Sequence, residues 1–173
     1  MMRTTLAAML VCAPAVAIGL AAPGGAQGVL PMHRLSAALA AEAATEAVEA
    51  CAKQGYGVTA TVVDTAGEIQ AMVRGDGATK IAVLTSYDKA YTVIMLGGAR
   101  NEDSSGAIAQ RIGSNQPPGG LVKEPHILLQ QGALRIKLGN EAIAAIGVGG
   151  APGGNFDEGC AKAGIDKISD RLK

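Results

Sequence analysis

The stretch from Ala142 to Gly164, AIAAIGVGGAPGGNFDEGCAKAG, constrains the fold more than any other part of the chain. Ala142, Ile143, Ala144, Ala145, Ile146 and Val148 are small or β-branched, the composition of a strand covered on both faces. The strand runs into Gly147, Gly149, Gly150, Gly153 and Gly154, whose backbones reach angles closed to other residues. Pro152 stiffens the middle of this turn. Asn155 is placed to cap a following helix, with Glu158 three residues on as the acid of a capping box. Strand, crowded turn and helix start are therefore predicted in one fixed geometry, with helix-end N–H groups aimed beyond the turn.

At 173 residues the chain is expected to form one domain. Fifteen Lys and Arg balance 15 Asp and Glu, which removes the usual electrostatic reason to expect a nucleic-acid partner. One Phe, three Tyr and no Trp provide no platform for stacking bases. Much of the apolar content is Ala, so a thin core of Ala, Val, Ile and Leu is expected. Such a core favours burial of the remaining aliphatic surface by self-association.

Residues 1–26 read as a secretory signal peptide. Met1-Met2-Arg3 is a positive start, Leu6 to Leu20 is apolar, and Gly24 and Ala26 suit cleavage after Ala26. The apolar run is too short for a membrane span of about 20 residues. Val11 before Cys12 does not fit a lipid-attachment site. A periplasmic or secreted protein without a stable membrane anchor is expected, with a flexible leader at 27–34 and the domain at 35–173. Cys51 and Cys160 remain in the mature part. The sequence admits both a disulfide and two small buried thiols.

Helical periodicity predicts a first helix from Leu35 to Gln54, capped by Ser36 and stopped by Gly55-Tyr56-Gly57. Two strands follow, Val58–Val63 and Glu68–Arg74, joined by a hairpin turn at Asp64-Thr65-Ala66-Gly67. Ile69, Ala71 and Val73 alternate against Gln70, Met72 and Arg74. A second helix is expected from Lys80 to Leu96, broken by Gly97-Gly98, and a short third from Glu102 to Ile112. The Gly- and Pro-rich segment from Gly113 to Pro125 is long for a loop and points to a contact role. His126–Gln130 reads as a strand, Leu134–Leu138 and Glu141–Val148 as a hairpin about Gly139-Asn140, and Phe156–Leu172 as the last helix. The expected class is α+β: a mainly antiparallel sheet of about five strands with helices packed on it.

The glycine run lacks the Lys-Ser/Thr of a phosphate loop, and the chain ends too soon for the acidic residue of a dinucleotide fold. No G-x-S-x-G, H-E-x-x-H or C-x-x-C motif is present. His33 lies in the leader, so His126 is the one histidine of the ordered part; such a residue at a strand start is most often a surface histidine, and otherwise a ligand or catalytic group. Zinc ligands cannot be assembled in sufficient number. Glu46 and Glu49 share a helical face, which is usually a solvated face and otherwise a weak site for a hard cation. Lys89-Ala90-Tyr91-Thr92 places an amine, a phenol and a hydroxyl within one helical turn. Tyr is a haem-ligand type and Lys can pair with a propionate, although a Tyr in this pattern is more often core.

Three segments, VTATVVDTAGEIQAMVRGDGA, the DKAYT of the second helix and AIGVGGAPGGNFDEGCAKAG, together resemble the GlcG/HbpS-like haem-binding family, in order and spacing, from Leu35 to the end. The resemblance implies a profilin-like domain that assembles as a homo-oligomer, often an octamer, and binds haem. It implies Thr92 as an unusual ligand of the haem iron, beside Tyr91, and a place for His33 near the histidine used by a corrinoid-associated branch. Lys89 would neutralise a propionate, and Gly150 with the rest of the 149–155 turn would supply N–H donors. The alternative reading is an enzyme or accessory protein acting on a small organic acid in a glycolate-like catabolic pathway, with Arg74 as carboxylate clamp, Asp76 as base and His126 beside them. A purely structural oligomer is the third.

Overall fold

The computed structural model describes residues 28, 30–115 and 124–173. The proposed signal peptide and most of the 113–125 loop lie outside the described residues. Contacts divide the chain into Met1–Met32 and His33–Lys173, and every helix and strand described belongs to the second unit.

Helix α1 spans Ala37–Ala52 and starts, as its sequence predicts, at Ser36, whose hydroxyl accepts from the Leu39 N–H at 3.3 Å. Strands β1 (Thr59–Val63) and β2 (Ile69–Arg74) form the first hairpin. Its turn holds Gly67 at φ +83°, and Asp64 Oδ1 accepts from the N–H groups of Ala66 and Glu68. Helix α2 (Lys80–Arg100) and helix α3 (Ser105–Asn115) follow. Strands β3 (Ala133–Leu138) and β4 (Glu141–Gly149) make the second hairpin about Gly139-Asn140, and helix α4 (Gly154–Ile168) ends in a 3₁₀ turn at Ser169–Arg171. The architecture is α+β. Its sheet has four antiparallel strands in the order β2-β1-β4-β3, not five.

The expected strand at His126–Gln130 is the missing one, because its backbone groups are used elsewhere. His126 takes a left-handed φ of +68°, the Leu128 N–H donates to the Thr92 hydroxyl, and the Gln130 N–H turns back to Leu128 O. A register shift between Val62 and Val63 carries Ile69 out of the alternation shared by Ala71 and Val73, leaving it half exposed.

Gly97 and Gly98 do not end α2. The helix continues to Arg100 and closes on Asn101 in the left-handed conformation, its N–H on the carbonyls of Gly97 and Gly98. A side chain at Gly97 would meet Glu102 O at 2.5 Å, so this glycine lets the following chain cross close to the helix. Helix α3 starts later than expected, with the Ser104 hydroxyl accepting from Gly106 and Ala107 N–H groups. Helix α4 starts earlier. Gly153 is its N-cap with no side-chain bond, Asn155 lies inside the first turn, and Glu158 accepts from Ser104 and Gln131 instead of closing a capping box.

The glycines of β4 act mainly by close approach. A Cβ on Gly147 would strike Ser86 O and lie 2.7 Å from the Ala90 N, and one on Gly149 would strike the Thr85 hydroxyl and lie 2.9 Å from Ala82 O. Helix α2 is thus seated directly on β4. Only Gly150 in this run has a positive φ, +121°.

The sheet carries a different layer on each face. On one, α1 and α4 pack through Ala40, Ala43, Ala44, Ala47 and Ala161 onto Val58, Ala60, Val62, Ile146 and Val148. Cys51 and Cys160 are bonded there, with a Cα–Cα separation of 5.6 Å, so the disulfide reading is the one realised. On the other, α2 and α3 cover Val63, Ala133 and Ala145 with Ala90, Val93, Leu96, Ile108 and Ile112. No helix among the described residues is long and apolar enough to cross a membrane.

Candidate functional site

Helix α2 has two chemically distinct margins. Its inward side carries Ser86, Lys89, Ala90, Thr92 and Val93, all buried. Lys89 is 4% exposed and Asp157, in the first turn of α4, is 2% exposed; their Nζ and Oδ2 atoms lie 2.6 Å apart. Lys89 also donates to Val148 O at 3.2 Å, and the Ala151 N–H donates to Asp157 Oδ1 at 3.0 Å. Burial pushes the Asp157 carboxyl above its ordinary range, while the Lys89 ammonium and the Ala151 N–H pull it back. Gly132, at φ +133°, passes so close that a Cβ would lie 2.8 Å from Lys89 Nζ. The pair forms the floor of an open hollow of about 490 Å³, walled by Thr85, Gln131 and the Gly150–Gly154 turn. Lys89 and Gly150 line the same hollow, and Asp157, which the sequence does not single out, is the partner of Lys89. Asp157 is the one acid in the first turn of α4, the only signal that marks it.

The other margin is aromatic. Tyr87 and Tyr91 are half-buried neighbours with ring centroids 5.9 Å apart. The His126 ring meets both edge-on, at 4.8 Å from Tyr87 and 5.7 Å from Tyr91. Gly67 backs the Tyr91 ring, where a Cβ would lie 2.7 Å away. Burial first, then the nearby Glu68, Tyr91 and Asp88, raise the Tyr87 hydroxyl above its ordinary pKa, so it is a neutral phenol at pH 7. His126 Nδ1 donates to Asp88 Oδ1 at 2.8 Å, with the imidazole half exposed. Asp88 stands inside the DKAYT segment, yet only the folded loop reveals its partner.

Thr92 lies behind this surface and is fully buried. Its hydroxyl proton is shared between Asp88 O at 2.7 Å and His126 O at 3.3 Å, and its oxygen accepts from the Leu128 N–H at 2.7 Å. It ties the 126–128 backbone to α2. Beyond Tyr87, towards the start of α2, Leu84 and Ile81 stand 49% and 64% exposed. Leu84, Tyr87 and Tyr91 recur at helical spacing over a rise of about 10 Å and lead up to the His126 ring, while Ile81 lines the Lys89–Asp157 hollow.

Arg74 and Asp76 are elsewhere. Arg74 donates through Nε and Nη2 to Ala78 O, and both residues line a hollow of about 330 Å³ with Glu49, Val48 and Tyr56. Arg74 pairs with Thr59, at the end of the β1–β2 hairpin opposite the Gly67 turn that touches Tyr91. About 17 Å of strand separates it from Ile69 at the other end of β2, next to the Gly67 turn. The structure does not bring Arg74 and Asp76 together with His126.

His33 Nδ1 lies 2.7 Å from Glu141 Oε2, at the mouth of a hollow of about 200 Å³ lined by Leu35, Leu39, Ile143 and Arg171. Glu46 faces Lys53 and Lys167 at 3.8 and 3.7 Å, as a solvated helix face would. Among the described residues no group of three or more His, Cys, Asp or Glu side chains is placed to hold a metal ion.

Fold and site together define a small α+β domain with one four-stranded sheet, a buried ion pair under a glycine turn and an open aromatic margin on α2. Residues 35–166 match the family described as haem degrading protein HbpS-like, and the chain belongs to that family. Among solved structures, a double mutant of HbpS from Streptomyces reticuli is 32% identical with a TM-score of 0.72, covering 84% of this chain and 96% of that one. The Klebsiella pneumoniae protein ORFY shares the fold at 20% identity, with a TM-score of 0.74 over 83% of this chain and 97% of that one. PduOC, solved as a haem complex, shares it at 17% identity, with a TM-score of 0.69 over 79% and 96%. No curated protein matches the chain.

Proposed function

We propose that this chain binds haem as its small-molecule ligand, on the open margin of α2. The observation that carries the reading is the cluster of Tyr87, Tyr91 and His126, with exposed Leu84 one turn before Tyr87, in a member of the HbpS-like family. A flat macrocycle gains about 25 cal/mol per Å² of apolar surface it buries, and this margin offers both aliphatic and aromatic surface. Tyr91 forms a wall of the site. Thr92, with its hydroxyl already bonded on both sides, serves from behind by fixing the 126–128 segment. Lys89 is engaged by Asp157, so its ammonium is not free for a propionate; Lys89 and Gly150 instead shape the neighbouring hollow.

The protein is exported through residues 1–26 to the periplasm or the medium. The Cys51–Cys160 disulfide supports this, since such bonds persist in oxidising compartments. It assembles as a homo-oligomer. Support comes from Ile69 and Met72, which stand 50% and 37% exposed on β2, a strand at the edge of the sheet. Haem titration of the mature chain tests the binding directly. A saturable shift of the Soret band at micromolar haem is expected; no spectral change overturns the reading.

A further inference from the structure

We infer that His126 is the ligand through which this chain holds the haem iron, with Asp88 as the positioning residue that orients its imidazole. The inference rests on the haem-binding reading and adds the atom that makes the bond, Nε2 of His126.

Four observations converge on that atom. First, the Nδ1–H of His126 is donated to Asp88 Oδ1 at 2.8 Å. A carboxylate only accepts at neutral pH, so this bond fixes the tautomer and leaves the Nε2 lone pair free. A histidine that ligates a metal nearly always has its other ring nitrogen bonded in this way, which sets ring orientation and raises basicity. Second, the ring plane is held from the side by the edge-on contacts with Tyr87 and Tyr91. Third, His126 adopts φ +68°, one of two positive-φ non-glycine residues among those described. That uncommon conformation is kept in place by Thr92, which bonds to His126 O and accepts from Leu128 N–H. Fourth, the ring is half exposed beside Tyr87, one helical turn from exposed Leu84, so a flat ligand on this margin reaches it without displacing any side chain of the core.

The other candidates lack this combination. The Thr92 oxygen is buried and already accepts from Leu128 N–H. His33 also rests on a carboxylate, Glu141, but no aromatic ring contact fixes its plane among the described residues. The chain has two histidines in all, which makes the assignment testable by elimination.

The experiment uses the mature chain reconstituted with haem, read by absorption and by resonance Raman spectroscopy of the ferrous form. The wild type is expected to show a histidine–iron stretch. His126→Ala is expected to lose it and to regain an imidazole–iron signature on addition of free imidazole, a rescue that a misfolded variant would not give. His33→Ala is expected to keep the stretch unchanged. Asp88→Asn is expected to keep a histidine–iron bond with a lowered stretching frequency and roughly tenfold weaker haem binding. A stretch that survives in His126→Ala, or disappears in His33→Ala, overturns the assignment. Haem binding by the wild type without any histidine signature overturns the assignment and leaves the haem-binding reading standing. Absence of haem binding in the wild type overturns both.

Discussion

The two faces of the sheet are built from different materials. On the α1–α4 face nearly every contact is between alanines, small aliphatics and one disulfide, with Gly164 letting α4 press against Ala43 O. On the α2 face the helix is seated on Gly147 and Gly149, encloses a buried Lys–Asp pair, and leaves an apolar and aromatic margin towards solvent. Asp157 comes from the first turn of α4, so the buried pair joins the two layers, while the half-exposed cluster of Tyr87, Tyr91 and His126 belongs to the α2 side alone. Both faces carry a buried apolar core; the disulfide lies on one side, and the aromatic margin with His126 on the other. Away from the Lys89–Asp157 contact between α2 and α4, an alteration of one face is expected to leave the chemistry of the other largely intact.

The strongest test of that division is removal of the disulfide. Cys51 and Cys160 are 109 residues apart, and closing so long a loop stabilises by about 4 kcal/mol through the unfolded chain. Reduction, or a Cys51→Ser, Cys160→Ser double variant, should lower the denaturant midpoint accordingly while leaving the haem spectrum of the folded fraction unchanged. A changed spectrum would join the two faces.

Next in size is Lys89→Met, which leaves Asp157 buried without its counter-charge and should cost about 3 kcal/mol. A Lys89→Met, Asp157→Leu double variant should recover most of that loss, because two apolar groups of similar volume need no partner. Failure of the second substitution to restore stability would show that the pair does more than neutralise itself. Equilibrium denaturation of the three proteins measures this.

The smallest effect separates two ionic contacts, one between α4 and α2 and one on α1, by the sign of their pH dependence. Burial holds Asp157 above its ordinary value, so the folded chain keeps that proton more firmly than the unfolded chain. Its contribution is complete below about pH 4 and is lost as pH rises through the folded value. Glu42, on α1, is held below its ordinary value by the bond from Arg171, so its contribution is present above about pH 4 and is lost as pH falls through the folded value. Melting midpoints between pH 2 and 7 should show a shallower fall towards neutrality in Asp157→Asn. In Glu42→Gln they should show a shallower fall in acid. Parallel curves for all three proteins would remove both assignments.

Much of this organisation is legible from residues. The hairpin turns at Asp64–Gly67 and Gly139-Asn140, the Ser36 cap and the Val58, Ala60, Val62 face all follow from local chemistry and period. The misreadings share a cause: a distant partner outcompeted the local signal. The 126–130 segment loses its strand to Thr92, and Gly97 stays inside α2, where it gives the Glu102 carbonyl room to approach. Glu158 leaves its capping box for Ser104 and Gln131. The disulfide is open in the sequence for the same reason, since only the packing of α1 on α4 brings the two thiols together. At the site, Tyr91, Thr92, Lys89 and Gly150 are visible as residue types. Their sorting into an aromatic margin and a separate buried pair depends on Asp88 and Asp157, each reached across more than 30 residues.

Hydrogen–deuterium exchange of the mature chain with and without haem tests the location most directly. Added haem should slow exchange in the segments around residues 81–91 and 126–129 and leave α1 and α4 near Cys51 and Cys160 unchanged. Protection confined to the α1–α4 face, or to the Arg74 and Asp76 hollow, would contradict the account.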